Sequence, residues 1–242
     1  MKQSAIVGVP ADPSDEWTLA YGGRLYDTWW QVLGEPAPTA TDPAYPVAGR
    51  AMGATTWRCS TCHGYDYKGV AGINATGAGF TGIAGVLGAV GQDPAMIAAA
   101  LRAPPHSYTA AMIPDDALMR LATFISKGTY DTADYIDPAS RKVKGDAAHG
   151  QQVFQTFCAA CHGLDGKAIN FAAPAAAGAP PATPDFVGNR ANREPEVALH
   201  KIMNGLTNVP DREKVPPMAS FRAIGIQAAV DALAYAQTLP QQ

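Results

Sequence analysis

All four cysteines of the chain sit in two copies of one pentapeptide, Cys-x-x-Cys-His: "CSTCH" with Cys59, Cys62 and His63, and "CAACH" with Cys158, Cys161 and His162. The chemistry that this order serves is covalent haem attachment. Two sulfurs separated by two residues on one helical turn match the span of the two vinyl groups of a haem and form thioether bonds. The histidine next in sequence then gives an axial nitrogen to the iron. The sequence thus predicts two c-type haems, one per motif. The competing readings are a structural zinc site, disulfides and a thioredoxin-like redox pair. A zinc site built from the four thiols leaves the histidine after each pair unexplained, and the pairs lie far apart for a small zinc module.

The elements around each motif follow the same order. In the second half, "GDAAHGQQVFQTF" (145–157) opens with Asp146 as an N-cap and spaces Ala147, Val153, Phe154 and Phe157 as one helical face, predicting a helix that runs straight into Cys158. "IGIQAAVDALAYAQTLP" (224–240) places Ile226, Ala229, Val230, Leu233 and Leu239 on a closing helix stopped by Pro240. In the first half the opening helix is "DEWTLAYGGRLYDTWWQVLG" (15–34) and the closing one "PDDALMRLATFISKG" (114–128), with Pro114, Asp115 and Asp116 at its start. What differs is an insertion rich in Pro, Gly, Ala and Thr at 35–54, which parts the opening helix from Cys59. The predicted organisation is a first domain over 1–130, a linker without apolar period over 131–145, and a second domain over 146–242.

Composition bounds the rest. Hydrophobic residues make up 47% and charged residues 16% of the 242, with 24 glycines and 20 prolines, a balance of helices joined by much loop. Of 18 Lys+Arg and 21 Asp+Glu, residues 1–130 carry 8 and 10, leaving 10 and 11 for 131–242. Neither half is basic enough for nucleic acid. Apolar runs such as 84–90 and 95–103 fall short of the roughly 20 residues of a membrane span. The N-terminal "MKQSAIVGVPADP" lacks the apolar stretch of a signal peptide, so export implies a leader already removed.

The chain resembles two tandem class I c-type cytochrome domains, most closely in "GQQVFQTFCAACHG" and in Met218 to Leu239, less so in the first half with its insertion. The resemblance implies a mainly α fold in which each domain wraps one covalently bound haem. It further implies that the opening and closing helices cross where a glycine meets an aromatic residue: Gly150 with Phe154 and Tyr235, and Gly22 or Gly23 with Tyr26 and Phe124. It places a methionine ligand in the loop ahead of the closing helix, which is Met218 in "VPPMASF". Met203 and His200 lie on a helix and read as packing, His149 as a polar-face residue. Trp29, Trp30 and Trp57 read as core or as haem lining.

The sixth ligand of the first haem has two candidates in "APPHSYTAAMIPDD". His106 stands eight residues ahead of Pro114, as Met218 does ahead of Ile226, and "HSY" resembles a His-x-Phe/Tyr pattern of related two-haem cytochromes. Met112 lies two residues from Pro114, with little slack to reach across a haem, and reads otherwise as an apolar plug. An open iron is the third option. The reading taken is His106, with Met112 as its alternative.

Two strong axial ligands leave an iron no position for substrate, so the expected function is outer-sphere electron transfer between a donor enzyme or quinol-oxidising complex and a terminal acceptor. A methionine sulfur raises haem potential relative to a second imidazole, which places the first haem below the second. The family resemblance implies a periplasmic or extracellular location, and the absence of cysteines beyond the haem four agrees. Redox partners would dock transiently. The competing class is a two-haem enzyme with a labile ligand on the first iron, acting on a sulfur oxyanion or peroxide. A fixed cytochrome subunit of a larger redox complex is the third reading.

Overall fold

Ser14 accepts a hydrogen bond from the Trp17 N–H and so starts α1, Asp15–Leu33, which ends at Gly34 in the left-handed conformation. From Ala20 to Leu33 α1 is buried almost all round, and it packs against α4, Asp115–Lys127. Between them lie α2, Cys59–His63, and α3, Pro94–Arg102. The second half contains α5, Ala147–Val153, then a π-helical turn over Phe154–Cys158, α6, Ala159–His162, α7, Val187–Arg193, α8, Pro195–Asn204, and α9, Ile226–Ala236. These elements come from a computed structural model that describes residues 10–172, 182–207 and 217–241. Among the described residues there is no strand, only isolated bridges, so the fold is mainly α. No described helix is long and apolar enough to cross a membrane.

The chain divides into two compact units: residues through Asp131 with Asn204–Ser220, and Thr132–Met203 with Phe221–Gln242. The first is built on the α1–α4 crossing. A Cβ added to Gly22 would stand 2.3 Å from the Arg120 carbonyl oxygen and 2.5 Å from the Phe124 Cβ, so only glycine allows this approach. Tyr26 and Phe124 meet beside it with ring centres 5.7 Å apart. Trp29 and Trp30 belong to the same core.

α1 is broken at Thr28, whose φ of −155° and ψ of 78° are not helical. The cause is a side chain in the ladder. Arg58 donates through Nε to the Asp27 carbonyl at 2.8 Å and through its Nη2 to both the Asp27 carboxylate and the Tyr65 hydroxyl. Asp27 is buried, and a buried carboxylate holds its place only when paired. The residue directly ahead of Cys59 is thereby bolted to the opening helix.

In the second unit α5 and α9 cross at Gly150, where a Cβ would fall 1.8 Å from the Asp231 carbonyl oxygen. Phe154 and Tyr235 meet beside it with tilted rings, 5.5 Å between ring centres. Asp146 caps α5 by accepting from the Ala148 and His149 N–H groups. Val153 and Phe154 are buried, but Phe157 is 46% exposed. The single helical face expected through Phe157 is thus corrected: the π turn inserts an extra residue before Cys158 and rotates Phe157 off the buried face. The segment 132–145 is folded onto this unit rather than spaced away from it. Ile136 is buried, and Gln237 of the α9 C-terminus accepts from the Val143 N–H and donates to the Arg141 and Ala191 carbonyls.

Asp231 joins these parts. Its carboxylate accepts from the Asp146 N–H at 2.9 Å, from Gln227 at 2.8 Å and from His149 Nδ1 at 2.7 Å. Burial alone would raise this carboxyl, but the hydrogen bonds from His149, Asp146 and Gln227 outweigh it and hold it below its ordinary value. With the folded value below an unfolded one of about 3.9, the network's stabilisation is complete above about pH 4 and is lost as pH falls through the folded value. Asp231→Asn is expected to cost about 1–3 kcal/mol at neutral pH and to flatten the loss of stability in acid. Urea unfolding of both proteins at neutral and acid pH checks this; equal stabilities at neutral pH would show that the network is idle.

Candidate functional site

Each pentapeptide forms one helical turn closed in the same way. Gly64 follows His63 at φ 76°, ψ 160°, and Gly163 follows His162 at φ 78°, ψ 157°. Side chains other than glycine rarely adopt this conformation. The Gly64 N–H bonds to the Ser60 carbonyl at 3.0 Å, and the Gly163 N–H to the Ala159 carbonyl at 2.8 Å. The histidine carbonyls are used alike, His63 accepting from the Gly69 N–H at 2.8 Å and His162 from the Ala168 N–H at 3.0 Å. Two stretches that share the pattern Cys-x-x-Cys-His-Gly-x-Asp-x-Lys thus adopt one local backbone, in which Asp66 and Asp165 each accept from the N–H of the lysine two residues on.

The four thiols are free. Burial pushes Cys59 up to about 12, with the neighbouring Cys62 adding to it, and pushes Cys62 and Cys158 up to about 11. The Cys59 and Cys62 thiols, neutral and on the wall of an apolar cavity, suit thioether formation with a hydrophobic ring. Among the described residues, no three His, Cys, Asp or Glu side chains come together to hold a metal ion by themselves.

Next to α2 lies a cavity of about 300 Å³ lined by Cys59, Cys62, His63, Tyr26, His106 and the α3 face of Met96, Ile97, Ala100 and Leu101. His63 donates from Nδ1 to the Ala84 carbonyl at 2.6 Å. That bond fixes the tautomer and leaves Nε2 as a lone-pair donor. Burial holds the imidazole below its ordinary value, a neutral ligand at neutral pH. His106 faces it, the two ring centres 6.1 Å apart. An imidazole nitrogen binds a metal at about 2 Å and lies just over 1 Å from its own ring centre, so two imidazoles on opposite sides of one metal put their centres about 6 Å apart. The residues present fit a haem held between His63 and His106.

The loop that carries His106 is clamped at both ends. Arg102, the last residue of α3, donates to the Tyr108 carbonyl at 2.9 Å and to the Ile113 carbonyl at 2.8 Å, and pairs with Asp115 at 2.5 Å. Tyr108 donates its hydroxyl to the Trp57 carbonyl at 3.3 Å, tying the loop to the segment ahead of Cys59. Met112 is not among the cavity's lining residues; it packs half-buried against the core. Trp29 and Trp57 also serve the core, Trp29 donating from its indole to the Trp57 carbonyl at 3.1 Å. The sequence reading did not single out α3 as a cavity wall. Its signal was Asp93-Pro94, an N-cap followed by proline at the first helical position.

In the second unit burial likewise lowers His162, whose Nδ1 is buried with no hydrogen-bond partner among the described residues, and Phe171 stands 6.1 Å from its ring centre. Met218 lies half-buried in the segment grouped with the first unit, its carbonyl accepting from the Leu206 N–H at 2.9 Å. Residues 208–216 leading to it are outside the described ones. Met203 and His200 are buried on α8, and His149 pairs with Asp231.

Residues 147–240 match the family model for Cytochrome c. That stretch is a cytochrome c domain, which implies a covalently bound c-type haem and electron transfer. No curated protein matches the chain.

Proposed function

We propose that the chain is a two-haem electron carrier, with one haem on Cys59, Cys62 and His63 and the other on Cys158, Cys161 and His162. His106 completes the first iron's ligands and Met218 the second's. The observation that carries this reading is the pair of imidazoles facing across the first cavity at a spacing that suits one metal. Haem supplies a one-electron couple; what the residues of this chain supply is ligation, exclusion of water and a fixed frame. Arg102 and Tyr108 hold the distal histidine, and α3 gives the same cavity an apolar wall. With both axial positions filled, neither iron offers a site for substrate, so the partners are redox proteins that dock transiently. Thioether attachment and the absence of other cysteines fit a compartment outside the cytoplasm.

Two spectroscopic measurements on the haem-loaded protein test this. The ferrous protein is expected not to bind carbon monoxide at either haem. Binding at the first would instead support an enzyme with a labile ligand there. The ferric protein is expected to show far-red sulfur-to-iron absorption for one methionine per two haems, abolished by Met218→Ala and untouched by Met112→Ala. Absorption for two methionines, halved by Met112→Ala, would remove His106 from the first iron.

A further inference from the structure

Trp57 joins the first haem cavity to the 35–54 insertion. Its indole N–H donates to the Ala40 carbonyl at 2.8 Å, and two further bonds fasten the same stretch: Gly53 N–H to the Thr41 hydroxyl at 3.1 Å and Asp42 N–H to the Thr56 hydroxyl at 2.8 Å. On its other side the Trp57 ring meets Tyr108, with centres 6.2 Å apart. The Tyr108 ring in turn lies 6.4 Å from that of His106 and within 18° of its plane. Aromatic pairs in contact have their centres about 4.5–7 Å apart, so rings run without a gap from the distal histidine to Trp57. Trp57 also stands two residues ahead of Cys59, which lines the cavity. Tyr108 has another ring neighbour in Trp29, at 6.2 Å, but Trp29 is 3% exposed and that branch ends in the core. The branch through Trp57 ends on a half-buried side chain bonded to a surface loop.

We propose that Tyr108 and Trp57 are the route by which the first haem exchanges an electron with the surface that the insertion forms. This rests on His106 being that haem's sixth ligand. One electron passes in each exchange: a redox protein at that surface is oxidised as the ferric haem becomes ferrous, or the reverse, and no bond is made or broken. In such outer-sphere transfer the protein's part is to position the two centres and couple them. Coupling falls steeply with each gap it has to cross, and rings in contact leave fewer gaps than aliphatic side chains in their place. The insertion is then a place of exchange as well as a cover.

The test uses the haem-loaded, full-length protein carrying a photoactive ruthenium polypyridyl label. With the four native cysteines in thioethers, Val47→Cys offers one thiol on an exposed part of the insertion. Met96→Cys, exposed on the cavity wall itself, gives the control position. The protein is poised between its two midpoint potentials, where only the haem of lower potential is ferric, and a flash sends it one electron from the excited ruthenium(II), leaving ruthenium(III). Each variant is first checked for the low-spin two-imidazole spectrum. From Val47 the transfer is expected to slow several-fold with Trp57→Leu and with Tyr108→Leu. It is expected to keep its wild-type rate with Tyr108→Phe, which retains the ring and loses the hydroxyl bond to the Trp57 carbonyl. From Met96 none of the three should change it. Should Trp57→Leu fail to take up haem, the Tyr108 pair reads the same route. Val47 rates that the leucine substitutions leave unchanged, in a protein with the two-imidazole spectrum, would overturn the inference alone. Equal slowing from both label positions would assign the effect to the haem and its loop, and a Tyr108→Phe rate as slow as that of Tyr108→Leu would assign it to the hydrogen bond; either overturns the route. A first-haem spectrum that His106→Ala does not change would overturn the ligand assignment and the inference with it.

Discussion

Replacing Cys59 and Cys62 by serine is expected to remove half of the covalently bound haem per chain, and replacing Cys158 and Cys161 to remove the other half. The first pair lies on the wall of an apolar cavity beside two facing imidazoles, and the second adopts the same backbone turn, closed by a glycine at nearly the same φ and ψ. Serine does not form the thioether, and without it the chain loses a linkage that ties the haem to the turn. Mass measurement of the intact, denatured chain reads the count directly. Wild type should carry the mass of two haems and each double substitution that of one. A wild-type mass with one haem, insensitive to one of the two pairs, would show that only one motif is loaded.

The second large effect lies where the helices cross. Gly150→Ala puts a Cβ 1.8 Å from the Asp231 carbonyl oxygen, and Gly22→Ala puts one 2.3 Å from that of Arg120. Both obstacles are backbone, so no side-chain rotation relieves them and the helices must part. Overpacking commonly costs about 1–3 kcal/mol when neighbours can shift. Here each substitution is expected to cost more than about 4 kcal/mol, enough to unfold the unit that carries it. Denaturant unfolding followed by circular dichroism should show one transition lost or moved to much lower denaturant, Gly150→Ala striking the second unit and Gly22→Ala the first. A shift of under about 1 kcal/mol in either protein would mean that the crossing adjusts more easily than these distances imply.

The helices that cross were legible because Asp146 as an N-cap and the apolar periods of α5 and α9 are local signals, and local signals survive in the fold; where they cross was implied by the family resemblance alone. The choice between Gly22 and Gly23 was not legible, since it depends on which glycine α4 approaches. Phe157 was misplaced because periodicity assumes one helical repeat throughout, and a π turn shifts every later side chain without leaving a mark in composition. The cavity wall on α3 was hidden for another reason. "PAMIAAALR" has alanine at four of its nine positions, so its buried face of Ile97 and Leu101 stands out little against the rest.

The loops divide in the same way. His106 was singled out by its distance from Pro114 and stands on the cavity wall. The fastening of the 35–54 insertion drew no attention, because it depends on the Trp57 indole donating to the Ala40 carbonyl and the Asp42 N–H donating to the Thr56 hydroxyl, in a stretch with no pattern of its own. The folded character of 132–145 was equally invisible, as its ties are to residues far along the chain, Gln237 for Val143 and Arg141, and Glu196 for the Arg141 side chain.

The Arg102 clamp bears on how fast an electron can be exchanged. Each transfer changes the charge on the iron by one unit, and any part of the surroundings that relaxes in response adds to the barrier for the next transfer. Arg102 grips the carbonyls of Tyr108 and Ile113 together, so the segment that presents His106 has little freedom to follow that change. Fixed dipoles need no rearrangement at the moment of transfer. For a haem held on the proposed His63 and His106 pair, the exchange rate would then be left to driving force and to the distance of its redox partner.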